Sequence, residues 1–230
     1  MTARIGVVID SDKCSGCGLC LRVCPNRSLS LQNGKAQVSG TSCIACGHCH
    51  AVCPEQAVSV QGIHGPLGFG TFPENMSWLP WGETNVAELV RLMRSRRSCR
   101  NYLARPVDRE ILCDLVKIGI TAPSGTNSQA WTFTVLETRD DVVALGNLVG
   151  RFYKNLNRKA ANPLLRLLSR IFMGDALGNY YRMYYQTIAD GLRFWEEEGQ
   201  DRLFHGAASV ILVGSRHGAS CPVEDALLAT

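Results

Sequence analysis

The chain has 230 residues, 46% of them hydrophobic, with 24 basic and 20 acidic side chains and a formal charge of +4. That bias is too weak to point to nucleic acid, and no apolar run reaches the ~18 residues that a membrane-spanning helix needs. Residues 1–10 lack the basic start and long apolar core of a secretory signal, so the expectation is a cytoplasmic protein with no nucleic-acid or membrane partner.

The N-terminal region carries most of the chemistry. Eight of the eleven cysteines fall within residues 14–53. A disulfide framework is one reading of such a count, but many of these cysteines are three residues apart and the chain is long enough for an ordinary core; thiolates kept for metal fit a reducing compartment better. Cys14, Cys17, Cys20 and Cys24 are followed by Pro25, and Cys43, Cys46, Cys49 and Cys53 by Pro54. Both runs read C-x2-C-x2-C-x3-C-P, the signature of bacterial ferredoxins with two clusters, in which the fourth cysteine of each run ligates the other cluster. The expected sets are Cys14, Cys17, Cys20 and Cys53 for one [4Fe–4S] cluster, and Cys43, Cys46, Cys49 and Cys24 for the second. Two zinc sites would also use eight thiolates, although zinc favours paired C-x2-C hooks. His48 and His50 read as neighbours of the second set, not as ligands, because the cysteines already complete it.

Around these runs the pattern predicts short strands. Gly6–Asp10 is expected to pair with Ala57–Val60. Ser28–Leu31 and Lys35–Val38 flank Asn33–Gly34, a type I′ hairpin signal. A one-turn helix is expected after each cysteine run. Some 60 residues build little core, so the clusters take its place.

Residues 61–85 form a connector rich in glycine, proline and aromatics, including Phe69, Phe72, Trp78 and Trp81. The glycines and prolines forbid a long helix, and the aromatics favour an ordered connector over a loose tether. From residue 86 helical periodicity sets in. Asn85 is a candidate N-cap for a helix whose stripe is Val86, Leu89, Val90 and Met93. A second helix is expected over Asp108–Ile120, with Cys113 in its core. Trp131–Glu137 reads as a strand, Val142–Val149 as helix, Leu164–Met173 as helix or lid, Thr187–Glu198 as helix, Ala207–Val213 as strand, and Asp225–Leu228 as the start of another helix. Tyr180, Tyr181, Tyr184 and Tyr185 read as a packing cluster.

Two loops stand out in this second region. Arg94, Arg96, Arg97 and Arg100 crowd seven residues together with Ser95 and Ser98; they form either a solvated helix end or an anion site, since guanidinium forks match phosphate oxygens. The stretch Ala122–Trp131 offers Ser124, Asn127 and Gln129 among small residues, either as a polar connection or as a surface for a flat ligand. Cys99 is flanked by Ser98 and Arg100, which would stabilise its thiolate, though an incidental cysteine fits equally simple packing.

Taken together, Arg96-Arg97-Ser98-Cys99-Arg100 and Ala122-Pro123-Ser124-Gly125-Thr126-Asn127-Ser128-Gln129-Ala130-Trp131 resemble the R-R-S-x-R and A-P-S-x-x-N-x-Q-P-W motifs of the nitroreductase family of FMN enzymes, with Ala130 in place of the usual proline. With the cysteine repeat, the chain resembles the ferredoxin-fused branch of that family. The resemblance implies an α+β fold: a two-cluster ferredoxin-like domain at 1–60, the connector at 61–85, and a nitroreductase-like α+β sandwich at 86–230. Family members continue past the point where this chain ends, so the last domain is expected to be incomplete. The resemblance also implies a homodimer with FMN at its interface. Arg96, Ser98 and Arg100 would hold the phosphate and ribityl side, and Arg97 would contribute backbone contacts. Pro123, Ser124, Gly125, Asn127 and Gln129 belong to the loop that approaches the flavin.

The expected function is an oxidoreductase that passes electrons from two [4Fe–4S] clusters to FMN and on to a small organic acceptor: a nitroaromatic, a quinone or an activated alkene. A donor protein such as reduced ferredoxin would supply it. The alternative is a non-catalytic electron-transfer subunit of a larger redox complex. No side chain stands out as a covalent nucleophile.

Overall fold

The computed structural model describes residues 6–61, 63, 65–75, 77, 79 and 82–230. Gly62, Trp78, Pro80 and Trp81 of the connector lie outside the described residues. The chain forms two compact units, each drawn from separate stretches of sequence: Met1–Val86 with Cys113–Phe133 and Val213–Thr230, and Ala87–Leu112 with Thr134–Leu212. The architecture is mixed α+β, with small two-stranded sheets among many helices.

In the first unit, strand β1 (Val7–Ile9) pairs antiparallel with β4 (Val58–Val60), placing Val7 opposite Val60 and Ile9 opposite Val58. Strands β2 (Leu29–Gln32) and β3 (Lys35–Val38) form the expected hairpin. Its two turn residues, Asn33 and Gly34, have φ of 52° and 74°, as a type I′ turn requires. The buried set is small: Val7, Leu29, Ala36, Ala57, Val58 and Val60, together with Cys14, Cys20 and Cys49. Thiols thus occupy a large share of what would otherwise be hydrocarbon.

The short helices differ from expectation in place. Helix α1 (Leu19–Val23) and helix α2 (His48–Ala51) lie within the cysteine runs, not after them, and carry the third cysteine of each, Cys20 and Cys49. Each begins at a glycine in the left-handed region, Gly18 at φ 72° and Gly47 at φ 76°. That conformation costs glycine little and reverses the chain just before the third cysteine.

The connector is tied down where it is described. Phe69 and Phe72 stack with ring centroids 4.3 Å apart. Asp114, almost fully buried, accepts from the amides of Gly70 (3.0 Å) and Thr71 (2.8 Å) and from the Thr71 hydroxyl (2.7 Å). Lys117 Nζ donates to the Gly68 carbonyl at 2.5 Å. Both residues sit on helix α4 (Arg109–Gly119). Its buried residues besides Gly119 are Leu112 and Asp114, while Cys113 is exposed, against expectation. Ile111 and Leu115 on the same helix are 40% and 47% exposed.

The second unit holds helix α3 (Val86–Ser95) from its second residue on, and a helical cluster: α5 (Arg139–Ala161), α6 (Pro163–Phe172), α7 (Ala176–Met183) and α8 (Tyr185–Glu198). Thr138 caps α5: its hydroxyl oxygen accepts from the Asp141 amide at 3.2 Å and its hydrogen goes to the Asp141 carboxylate at 2.6 Å. Helix α5 runs well beyond the eight residues of its predicted core. Gly146 lets Trp195 of α8 lie against it; a Cβ there would sit 2.8 Å from the indole ring. The Tyr180 hydroxyl donates to Asn157 at 2.6 Å and Tyr181 packs on Tyr185 at 4.8 Å, whereas Tyr184 is exposed.

Helix α6 is helical as one of its two readings allowed, but its amphipathicity runs opposite to a core helix. Ser169 is its buried residue, and Leu164, Leu167, Ile171 and Phe172 are 54–77% exposed. Helix α3 likewise buries nothing. Strand β5 (Trp131–Leu136) pairs with β6 (Val210–Ser215), which begins three residues later than expected. Helix α9 (Pro222–Leu228) follows, started by proline in its first turn.

Candidate functional site

The cysteine runs fold so that thiols from both meet at two separate cavities. One is lined by Cys14, Cys17, Cys20 and Cys53, with Ala36 and Ala57 beside them. The other is lined by Cys24, Cys43, Cys46 and Cys49, with Pro25 and His48 beside them. Each cavity therefore takes three cysteines from one run and the last from the other. All eleven cysteines are free thiols.

Backbone amides point at the sulfurs. Ala36 N–H donates to Cys14 Sγ at 3.5 Å and Ala57 N–H to Cys53 Sγ at 3.3 Å. Ser28 N–H donates to Cys24 Sγ at 3.4 Å and Ala45 N–H to Cys43 Sγ at 3.3 Å. Such donors favour the thiolate that a cluster requires. The amides of Ala36 and Gly16 hold the Cys14 thiol below its ordinary value, with Lys35 adding to the effect against burial. Burial pushes the thiols of Cys20 and Cys49 up. The donor chemistry, eight thiols in two sets of four with amide donors in each, fits a pair of iron–sulfur clusters. His50 Nδ1 meets the Val58 carbonyl at 2.6 Å, and His48 Nδ1 lies 3.5 Å from Cys46 Sγ.

The loop Ala122–Trp131 belongs to the same unit as the cysteines. It contains a 3-10 turn over Gly125–Asn127, with Thr126 at φ 51°, Asn127 at φ 53° and Gln129 at φ 47°. Left-handed φ at three side-chain-bearing residues needs outside support. Part of it comes from α9. Asp225, 1% exposed, accepts from the Gly125 amide at 2.7 Å and the Ser128 hydroxyl at 3.2 Å. Within the loop, the Gln129 amide donates to Ser124 Oγ at 2.9 Å, and Thr126 and Ser220 share a hydroxyl contact at 2.7 Å. Pro123 is exposed. Gly125 has no room for a side chain, since a Cβ would meet Cys221 Sγ at 2.8 Å.

Asn127 reaches furthest. Its Nδ2 donates to the carbonyls of Ile44 (3.0 Å) and Ala45 (2.8 Å), the two residues between Cys43 and Cys46. Sequence reasoning placed Asn127 beside a flavin and missed this tie. It also missed Asp225, whose only local signal is an acid in the first turn of a short helix.

The arginine loop lies in the other unit. Residues 96–100 follow the end of α3 and are exposed. Arg97 Nη1 donates to the carbonyls of Arg94 and Arg96, each at 2.8 Å, and so closes the helix end. The side chains of Arg96, Ser98 and Arg100 have no hydrogen bond or ion pair among the described residues, so their donors remain available to an anion. Arg100 borders a cavity of about 750 Å³ that also has Tyr153, Leu192, Trp195 and Arg202 in its wall. One buried donor of the other unit, Trp131 Nε1 at the end of the 122–131 loop, has no acceptor among the described residues. Uncommitted guanidinium groups fit a phosphate-bearing ligand.

Two regions of the chain match known protein families. The 4Fe-4S dicluster domain matches residues 6–54 and the Nitroreductase family matches residues 93–229. A 4-nitrobenzoate reductase of Pseudomonas putida is 34% identical over 76 residues, 33% of this chain and 32% of that protein. An iodotyrosine deiodinase of Daphnia pulex is 41% identical over 49 residues, 21% of this chain and 16% of that protein. Ferredoxin-2 of Desulfomicrobium norvegicum is 63% identical over 30 residues, 13% of this chain and 51% of that protein. The matched stretches thus span about half or less of each of these relatives. The expectation of two iron–sulfur clusters and FMN agrees with this pair of domains. With more than half of its length matched, the chain belongs to the nitroreductase family, and it carries a 4Fe-4S dicluster domain ahead of that region.

Proposed function

We propose that the protein is an iron–sulfur flavoprotein oxidoreductase that draws electrons through two [4Fe–4S] clusters to FMN and delivers them to an organic acceptor. The observation that carries this reading is the grouping of thiols at the two cavities, three from one run and one from the other in each. Cys14, Cys17, Cys20 and Cys53 hold one cluster, and Cys24, Cys43, Cys46 and Cys49 the other. When bound, the clusters exchange single electrons and FMN collects two.

The residues around them have distinct tasks. The amides of Ala36, Ala57, Ser28 and Ala45 donate to cluster-bound sulfur and favour its negative charge. Arg96, Ser98 and Arg100 bind the FMN phosphate and ribityl chain, which their uncommitted donors support. Pro123, Ser124, Gly125 and Gln129 form the wall against the flavin ring, held in shape by Asp225. Arg97 holds the end of α3 and leaves its neighbours free to bind.

A homodimer with FMN at the interface is part of this reading. It is supported by the α3 stripe, in which Val86, Leu89, Val90 and Met93 are 44–67% exposed, an apolar face of the kind a second chain covers. The acceptor is a nitroaromatic, a quinone or an activated alkene. The similarity to a 4-nitrobenzoate reductase favours the first.

The test is anoxic purification followed by iron, sulfide, zinc and flavin analysis of one sample. The expected result is eight iron and eight sulfide per chain for two four-iron clusters, with FMN present. The reduced protein is then mixed with a nitroaromatic, a quinone or an activated alkene. Zinc without sulfide ends the proposal, and so does a reduced flavin that none of the three acceptors reoxidises.

A further inference from the structure

We infer that Asn127, on the nitroreductase motif loop, sets the reduction potential of the second cluster and leaves that of the first untouched. The inference rests on the functional reading above, because it requires that cluster to be present.

The argument is a chain of two hydrogen bonds through one peptide group. Asn127 Nδ2 donates to the carbonyl of Ile44 at 3.0 Å. The N–H of that same peptide belongs to Ala45, and it donates to Cys43 Sγ at 3.3 Å. A donor on the carbonyl polarises the peptide and makes its N–H a stronger donor at the other end. Hydrogen bonds to cluster sulfur stabilise the more negative, reduced state and raise the potential. The second Asn127 bond, to the Ala45 carbonyl at 2.8 Å, acts on the peptide whose N–H belongs to the ligand Cys46.

The two cysteine runs provide an internal control. Gly16 and Ala45 occupy the same place, two residues after the first cysteine, and both have left-handed φ, 74° and 51°. In the first run this geometry is met by glycine, and a side chain there would strike the Gly34 carbonyl. In the second run an alanine is held in the same unfavoured region, and the Asn127 amide clasps the carbonyls on both sides of it. The support for the second run therefore comes from 82 residues away, on the loop assigned to the flavin. One side chain thus links the flavin loop to the couple of the second cluster.

The experiment uses the full chain, purified anoxically, with EPR-monitored reduction at poised potentials. Cys46→Ser and Cys17→Ser variants identify which signal belongs to which cluster. In Asn127→Ala the second cluster should become harder to reduce, with a three- to tenfold lower ratio of reduced to oxidised form at fixed potential. That is a fall of ~30–60 mV for a one-electron couple. Asn127→Asp, which removes the donors and adds negative charge, should shift it further in the same direction. Asn127→Gln keeps the amide on a longer arm and should lie between wild type and alanine; it serves where the alanine variant does not fold. Iron and sulfide are measured on every sample. Loaded variants in which neither midpoint moves, both move equally, or only the first moves would overturn this inference alone. Wild-type protein without clusters would remove the functional reading and this inference together.

Discussion

The carboxylate of Asp225 accepts a hydrogen bond from the backbone amide of Gly125 at 2.7 Å, across 100 residues of sequence. It also takes the Ser128 hydroxyl, so one buried acid holds both ends of the turn that carries Asn127. Asp225→Ala leaves a partly buried amide without an acceptor, at a cost of ~2 kcal/mol. Asp225→Asn keeps one acceptor and should cost about half as much. Urea unfolding measures both, and equal stability of Asp225→Ala and wild type would show that the loop holds itself.

Asp114 should give the protein a distinct acid limb. Burial raises its carboxyl, but the Thr71 hydroxyl, the amides of Gly70 and Thr71, and Lys117 outweigh that and bring it down to about 2. The folded value lies below the ordinary 3.8, so folding favours the charged form. Its contribution is complete above about pH 5 and is lost as the pH falls through the interval from 3.8 to about 2. Asp114→Asn should flatten the pH dependence of stability in that interval. The readout is the urea midpoint measured at several pH values, and an unchanged slope would refute the assignment.

Arg100→Ala should weaken FMN retention by ~10–100-fold, the loss of one charge-assisted hydrogen bond, with iron content unchanged. Flavin released on dilution, followed by fluorescence, reports it. Unaltered release would place the phosphate elsewhere.

Cys24 lines the cavity of the second thiol set although it closes the first run in sequence. Cys24→Ala should therefore lower iron content by about half, with the loss falling on the cluster that Cys43, Cys46 and Cys49 share. Mössbauer or EPR spectra distinguish the two. Selective loss of the other cluster would reverse the grouping.

Much of the site was legible in the sequence because its signals are local. The cysteine spacing grouped the thiols that share each cavity, and Asn33–Gly34 located the hairpin. The stripe from Val86 located α3, and the helix expected over Asp108–Ile120 is α4. These features need only neighbours a few residues apart. Failures arose where a local pattern met a distant partner. Cys113 was expected inside α4, but Asp114 took the inner face because Gly70 and Thr71 required an acceptor. The apolar residues of α6 mark a helix correctly and mislead about its direction, since Ser169 is the residue it buries.

By itself, the amino-acid sequence singled out the candidate residues: eight thiols at cluster spacing, an arginine–serine loop and a small-residue polar loop. Only the tertiary structure decided how they are joined. Asn127 to Ile44, Asp225 to Gly125 and Asp114 to Thr71 are hydrogen-bonded pairs between stretches 43–100 residues apart. Such pairs leave no periodicity or spacing in the chain, because an amide or carboxylate can serve any donor or acceptor that folding brings within 3 Å.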